Sequence, residues 1–155
     1  MKLYDSGEKL RREEIEKFEN ELNIILPNDY IDFILKNNGG TPEEDIVFDY
    51  VDFITSKELG TDIREFFIFY KEREGTYDDI VKVNNILHET GQLDKSYFVF
   101  ADDSGGNIIC MSIEGEHYGQ IYFGDQELED PETGHIVLSK VANSFIEFIQ
   151  ILYEM

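Results

Sequence analysis

Apolar residues recur at three- and four-residue steps in several stretches of this chain, and those stretches predict its helices. Ile15, Phe18 and Leu22 share one face of residues 11–22, with charged residues between them. A second helix is expected from Pro27 to about Asn37. Pro27 suits a first helical position, where its missing N–H costs nothing. Tyr30, Phe33 and Ile34 follow at helical spacing, and Asn38-Gly39-Gly40 reads as a left-handed stop. A third helix has Thr76 as its expected N-cap and Asp78 and Asp79 in the first turn. Ile80, Val83 and Leu87 form its apolar face, and Gly91 ends it. A last helix is expected to begin near Ser139, with Val141, Ala142, Phe145, Phe148, Ile149 and Leu152 on one face.

Between these lie short runs of β-formers. Residues 46–54, 97–101 and 108–113 read as strands, and so does 117–123, ending at Gly124. The run 66–70 fits a strand or a helix that begins near Asp62, because periodicity does not separate the two over five apolar residues. Residues 41–45 read as a polar turn, 102–107 as a hairpin turn and 126–134 as an acidic loop. Helices, then strands with a helical insertion, then a helix describe an α+β domain whose antiparallel sheet is covered by helices. No repeat or linker divides the chain, so residues 1–155 are expected to form one domain.

Composition narrows the function. The 155 residues are 41% hydrophobic and include 21 Phe and Tyr, enough for a packed core. No apolar run approaches the ~20 residues that span a bilayer, and the first seven residues lack the apolar centre of a secretion signal. The single cysteine, Cys110, excludes an intramolecular disulfide and fits a reducing, cytoplasmic setting. Its Ile-Ile-Cys-Met context points to a small buried hydrophobe rather than a nucleophile.

The net charge of −21 is unevenly spread. Ser96 to Ser139 holds nine acids and no Lys or Arg, and Asn37 to Ser56 holds five acids and no base. Phosphate backbones and anionic membranes need cations, so direct nucleic-acid and membrane binding are disfavoured. A basic protein partner is favoured, since a field of one sign steers association. The plainer alternative is that the acidity serves solubility alone.

Catalytic motifs are weak. Asp102-Asp103-Ser104-Gly105-Gly106-Asn107 departs from an EF-hand, with Gly106 at position five and Ile113 at position twelve. Its adjacent acids would repel a phosphate, so a hairpin turn is the favoured reading. His88, His117 and His135 form no close metal-binding pair, and no nucleophile elbow occurs. An acid pair among 34 carboxylates carries no weight as a hydrolase signal. No cofactor, metal site or catalytic residue is expected.

The segment 26–40 resembles the signature of the SUKH superfamily. Glu13 to Leu22 supplies an acidic amphipathic helix. Leu26, Pro27, Tyr30, Phe33 and Ile34 follow the pattern Leu-Pro-x-x-Tyr-x-x-Phe-Leu, with Ile34 in place of the last Leu, and Asn38-Gly39-Gly40 closes it. Further blocks resemble the family at 102–113, 119–123 and 142–149. The chain lacks the Trp that many members carry after the third block; Phe123-Gly124-Asp125 stands there. Residues 55–95 match poorly. The resemblance implies a twisted, mostly antiparallel sheet flanked by N- and C-terminal helices, and a non-enzymatic role. The superfamily includes fungal cell-wall-assembly regulators and bacterial immunity proteins, many of which neutralise nuclease toxins by direct binding. The expected function is therefore an immunity protein for a basic toxin, with a regulatory or scaffold module as the alternative. Glu43, Glu44, Asp45, Asp125, Glu127, Glu129 and Asp130 are the candidate contact residues, because they fall in expected loops within the two base-free windows. Oligomeric state is left open.

Overall fold

The computed structural model of the chain describes residues 1–72 and 76–155. Its described elements in order are β1 (Leu3–Tyr4), α1 (Arg12–Leu22), α2 (Asn28–Lys36), β2 (Thr41–Pro42), β3 (Ile46–Val51), β4 (Glu58–Asp62), β5 (Glu65–Phe66), α3 (Ile80–Glu89), β6 (Tyr97–Asp102), β7 (Ile108–Ser112), β8 (Ile121–Glu129), β9 (Ile136–Ala142), α4 (Phe145–Ile151) and β10 (Tyr153–Glu154). A single 3-10 turn, Gly115–His117, precedes β8. The strands form three sheets rather than one: β1-β2, β10-β3-β4 and β5-β6-β7-β8-β9. Every strand pair is antiparallel. The α+β expectation holds.

Aromatic side chains bind these layers. On α2, Tyr30 meets Phe145 of α4 edge-on at 5.1 Å, and Phe33 meets Phe66 and Phe145 at 5.0 Å each. Phe100 of β6 packs against Phe145 and Phe148. Phe48 of β3 packs against Phe148 at 5.2 Å, and Tyr50 lies 4.6 Å from Phe123 of β8. The three-stranded sheet thus joins the same core as the five-stranded one. Offset and edge-on pairs of this kind add about 0.5–1.5 kcal/mol each beyond the area they bury.

The signature at 26–40 is built into this frame. Pro27 is the N-cap of α2 rather than its first helical residue, with ψ at 142°. The helix ends at Asn37 in an extended conformation, so the left-handed residues come later, at Gly39 and Gly40. Asn38 is buried, and its amide acts as a substitute peptide. Its Nδ2 donates to the carbonyls of Glu8 and Phe69, and its Oδ1 accepts from Phe69 N–H at 2.9 Å. Gly39 has φ +69°, and a Cβ there would lie 2.5 Å from the Phe67 carbonyl oxygen. The motif pins the N-terminal segment and the 66–69 segment to the end of α2.

Several sequence expectations are corrected. Residues 41–42 are not only turn: Thr41 and Pro42 pair with Tyr4 and Leu3. The strand expected over 46–54 stops at Val51, and β4 returns beside it. For the run 66–70, left open between strand and helix, the extended reading holds; Phe66 pairs with Ala101, and Ile68 bridges Asp79. Helix α3 is capped by Asp79, whose carboxylate accepts from Val81 and Lys82 N–H, instead of by Thr76. The expected last helix is split. Residues 136–142 form β9, and α4 starts only after Ser144, whose Oγ accepts from Glu147 N–H. Val141 and Ala142 match the helical spacing by coincidence.

Candidate protein-binding surface

The β6–β7 connection is a hairpin turn tied to β4 by carboxylates. Asp103 is buried, and its side chain accepts from Thr61 Oγ1 at 2.7 Å, from the N–H groups of Gly105 and Asn107, and from Asn107 Nδ2. Asp62 of β4 accepts from the backbone N–H and hydroxyl of Ser104. These bonds fix the turn over the three-stranded sheet. Among the described residues no group of three or more His, Cys, Asp or Glu could hold a metal ion.

Around Tyr50 this arrangement concentrates negative charge. Burial raises the Tyr50 hydroxyl pKa, and the carboxylates of Asp52, Asp125 and Asp103 raise it further. Those three acids come from the β3–β4 turn, β8 and the β6–β7 turn. A cation approaching here meets the field of Asp52 and Asp125, with buried Asp103 behind them.

The seven expected contact residues divide into two groups. Glu43, Glu44 and Asp45 are exposed and precede the Ile46 end of β3. Glu43 and Glu44 border a cleft of about 290 Å³ with Met1, Lys2, Ile46 and Glu154. Asp125, Glu127 and Glu129 lie on β8, not in a loop, because the strand runs on through Gly124. A Cβ at Gly124 would sit 2.8 Å from Ile136 and 2.9 Å from Leu138, so the glycine permits close packing within the strand instead of ending it. The pairing is irregular between Gly124 and Glu129, which bulges this stretch outward. Asp130 opens the turn to β9: its N–H donates to the His135 carbonyl, and its carboxylate accepts from Glu132 N–H. Asp125 belongs with Tyr50, four residues along β3 from Ile46, which is roughly 13 Å at strand rise. The structure therefore joins Asp125 to Asp52 and Asp103 rather than to Glu43–Asp45. Asp52 was legible only as one of five acids in the 37–56 window; nothing in the sequence pairs it with Asp125.

A second acidic cluster is structural. Arg64 donates through Nε to Asp102 at 3.2 Å and forms an ion pair with it through Nη2, and its guanidinium lies 5.1 Å from the Tyr77 ring centre. Buried Glu65 is beside it, with Oε1 3.7 Å from Arg64 Nη2 and no hydrogen bond to that oxygen from the described residues. Burial, then the Asp102 charge, raises the Glu65 pKa to about 7. Burial also raises Asp102, against the pull of Arg64. Cys110 is fully buried, and burial pushes its thiol pKa up, as expected of an inert core cysteine. His88 and His135 bond the carbonyls of Tyr97 and Gly91.

Residues 9–151 match the SMI1/KNR4 family, SUKH-1. The chain belongs to this family. It is also similar to the SPbeta prophage-derived uncharacterized protein YokK of Bacillus subtilis (strain 168), 30% identical over 156 aligned positions that cover 88% of this chain and 71% of that protein. SUKH-1 proteins are immunity or regulatory proteins rather than known enzymes. In this SUKH-1 chain the Leu-Pro to Gly-Gly signature is scaffold, and no described helix is long and apolar enough to cross a membrane.

Proposed function

We propose that this SUKH-1 chain is a cytoplasmic immunity protein that binds and neutralises a basic protein toxin, with a nuclease as the favoured class, and performs no catalysis itself. The observation that carries the reading is that acids of separate segments are held together in a chain of net charge −21: Gln126 N–H, next to Asp125, donates to Asn107 Oδ1 at 3.1 Å, Asn107 Nδ2 donates to Asp103, and Tyr50, two residues before Asp52, packs 4.6 Å from Phe123. A nuclease needs a cationic surface to hold its substrate, and a fixed carboxylate array competes for that surface as a polyanion would. Charge of this kind sets the association rate and excludes wrong partners, while buried contacts at the centre of the interface supply most of the affinity. Family membership supports the same reading, since SUKH-1 proteins are linked to toxin–immunity partnerships.

The test is a rescue assay. The C-terminal domain of the protein encoded beside this chain is tested for toxicity by expressing it with and without the chain, and survival is scored. Rescue that requires this chain supports the proposal. Continued killing, with both proteins present at comparable levels, sinks it and leaves the regulatory role seen elsewhere in the superfamily.

A further inference from the structure

We propose that the tip of the β3–β4 hairpin is the apolar anchor by which this chain docks on a Lys- and Arg-rich protein surface, with Phe53 and Ile54 seated in the partner. The inference rests on the partner-binding reading above and adds where the partner is held. Hairpin tips usually carry Gly, Asn, Asp or Ser. This one reads Asp52-Phe53-Ile54-Thr55-Ser56, with Phe53 73%, Ile54 59% and the preceding Val51 55% exposed. Two large apolar side chains thus project from the turn, with a third at the end of the strand that enters it.

The turn is already rigid. Asp52 Oδ2 accepts from Ile54 N–H, Thr55 N–H and Thr55 Oγ1, at 3.1, 2.7 and 2.9 Å. Asp52 and Ser56 close the backbone with bonds of 2.8 and 2.9 Å to Lys57 and Asp52 carbonyls. Phe53 N–H donates to Oγ of buried Ser139 on β9, which fastens the tip to the five-stranded sheet. Little ordering entropy is left to lose when a partner covers such a tip. Beside Phe53 an open groove of about 310 Å³ exposes parts of Tyr97 and Leu138 above buried Leu93 and Ile136.

Charge identifies the occupant. Asp94 and Asp130 line the same groove, and Asp52 and Asp125 flank Tyr50 behind the tip. Within the turn Lys57 alone opposes them. An apolar centre inside an acidic rim is the anatomy of a protein interface, and the rim calls for a cationic partner. An anionic membrane would be repelled, and so would a second copy of this acidic chain. Another strongly exposed isoleucine, Ile25, lies away from the tip beside Tyr118, whose hydroxyl donates to the Ile25 carbonyl. It serves as the control position.

Two measurements test the proposal. The first titrates the purified neighbouring toxin domain with wild type, F53A/I54A and I25A, each checked for an unchanged melting temperature. A loss of about 30-fold or more in affinity for F53A/I54A, with I25A within about threefold, is expected of a central anchor. If wild type rescues and F53A/I54A still binds within about threefold, the anchor is refuted and the immunity role stands. The second places p-benzoylphenylalanine at Phe53 or at Ile25 and photocrosslinks in cells that encode the chain, so it needs no rescue. An adduct from position 53 on a Lys- and Arg-bearing segment of another protein, lost at high salt, supports the anchor even if the toxin reading fails. An adduct between two copies, or none above the position-25 control, overturns it.

Discussion

Replacing Glu65 by Gln should make the protein more stable at alkaline pH while changing little in acid. Glu65 pairs β5 with Asp102, and its side chain is only 10% exposed. Its pKa is about 7 in the folded chain against an ordinary 4.5, so the native state holds this proton more tightly than the unfolded state does. The resulting stability is fully present below about pH 4.5 and is lost as pH rises through 7. At about 1.4 kcal/mol per pKa unit, the whole span is worth about 3 kcal/mol. The isoelectric point near 4.2 makes pH 5.5 a practical lower limit. Part of the loss has already occurred there, which leaves about 2 kcal/mol between pH 5.5 and 8.5. A neutral amide does not titrate, so the difference in urea-unfolding free energy between E65Q and wild type should grow by that amount in favour of E65Q across the range. Comparing the two proteins cancels the self-repulsion of the other 33 acids. Asp102 shares Arg64 with Glu65, so the titration belongs to the pair, and removing one member should lower the other's pKa. A difference curve that stays flat within about 0.5 kcal/mol, or a variant less stable than wild type at pH 8.5, would refute the reasoning.

Other perturbations probe the scaffold and the acidic face. Asn38→Ala removes three hydrogen bonds, two of them buried, and leaves backbone groups of Phe69 unpaired, which should cost about 3 kcal/mol in urea unfolding. Asn84 on α3 bonds both N–H and C=O of Val99 and so closes the open side of β6; N84A should accelerate hydrogen exchange at the Val99 amide while the Phe67 amide, which donates to the Phe100 carbonyl, changes less. Reversing Glu127, Glu129 and Asp130 to Lys should slow toxin association about tenfold at low salt and flatten its salt dependence. An on-rate unaffected at low salt would remove those three acids from the steering field.

What the sequence revealed depended on whether local chemistry or distant pairing decided each element. Helices α1 and α3 carry their own apolar stripes, and their ends fell within a few residues of the expected ones. The β6–β7 hairpin was equally legible, because a six-residue turn between two apolar runs leaves few alternatives. Strand β4 was not, since Glu-Leu-Gly-Thr-Asp has little β propensity and forms only against β3. Strand β9 was hidden by a chance helical spacing from Val141 to Leu152, which ignored Ser144 as an N-cap. For the site, the excess of acid was plain, but its grouping was not. Asp52, Asp103 and Asp125 are brought together by pairing across two sheets, a juxtaposition that no spacing along one chain encodes.

The separation of scaffold from contact surface follows from what each residue touches. Asn38 bonds Glu8 and Phe69 within its own chain, and Gly39 is required by the nearness of the Phe67 carbonyl. A change at either position alters the fold whatever the partner. Phe53 and Ile54 project from a turn whose backbone is held by Asp52 and Ser139, so most of the turn's geometry is independent of which side chains stand at 53 and 54. Those two positions can change without moving the strands behind them. The same holds for Glu127 and Glu129, which are exposed on the bulged part of β8. Substitutions at the tip and at Glu127 and Glu129 should therefore cost less than about 0.5 kcal/mol of stability each. On the proposed docking reading, partner choice falls on residues that the core does not need.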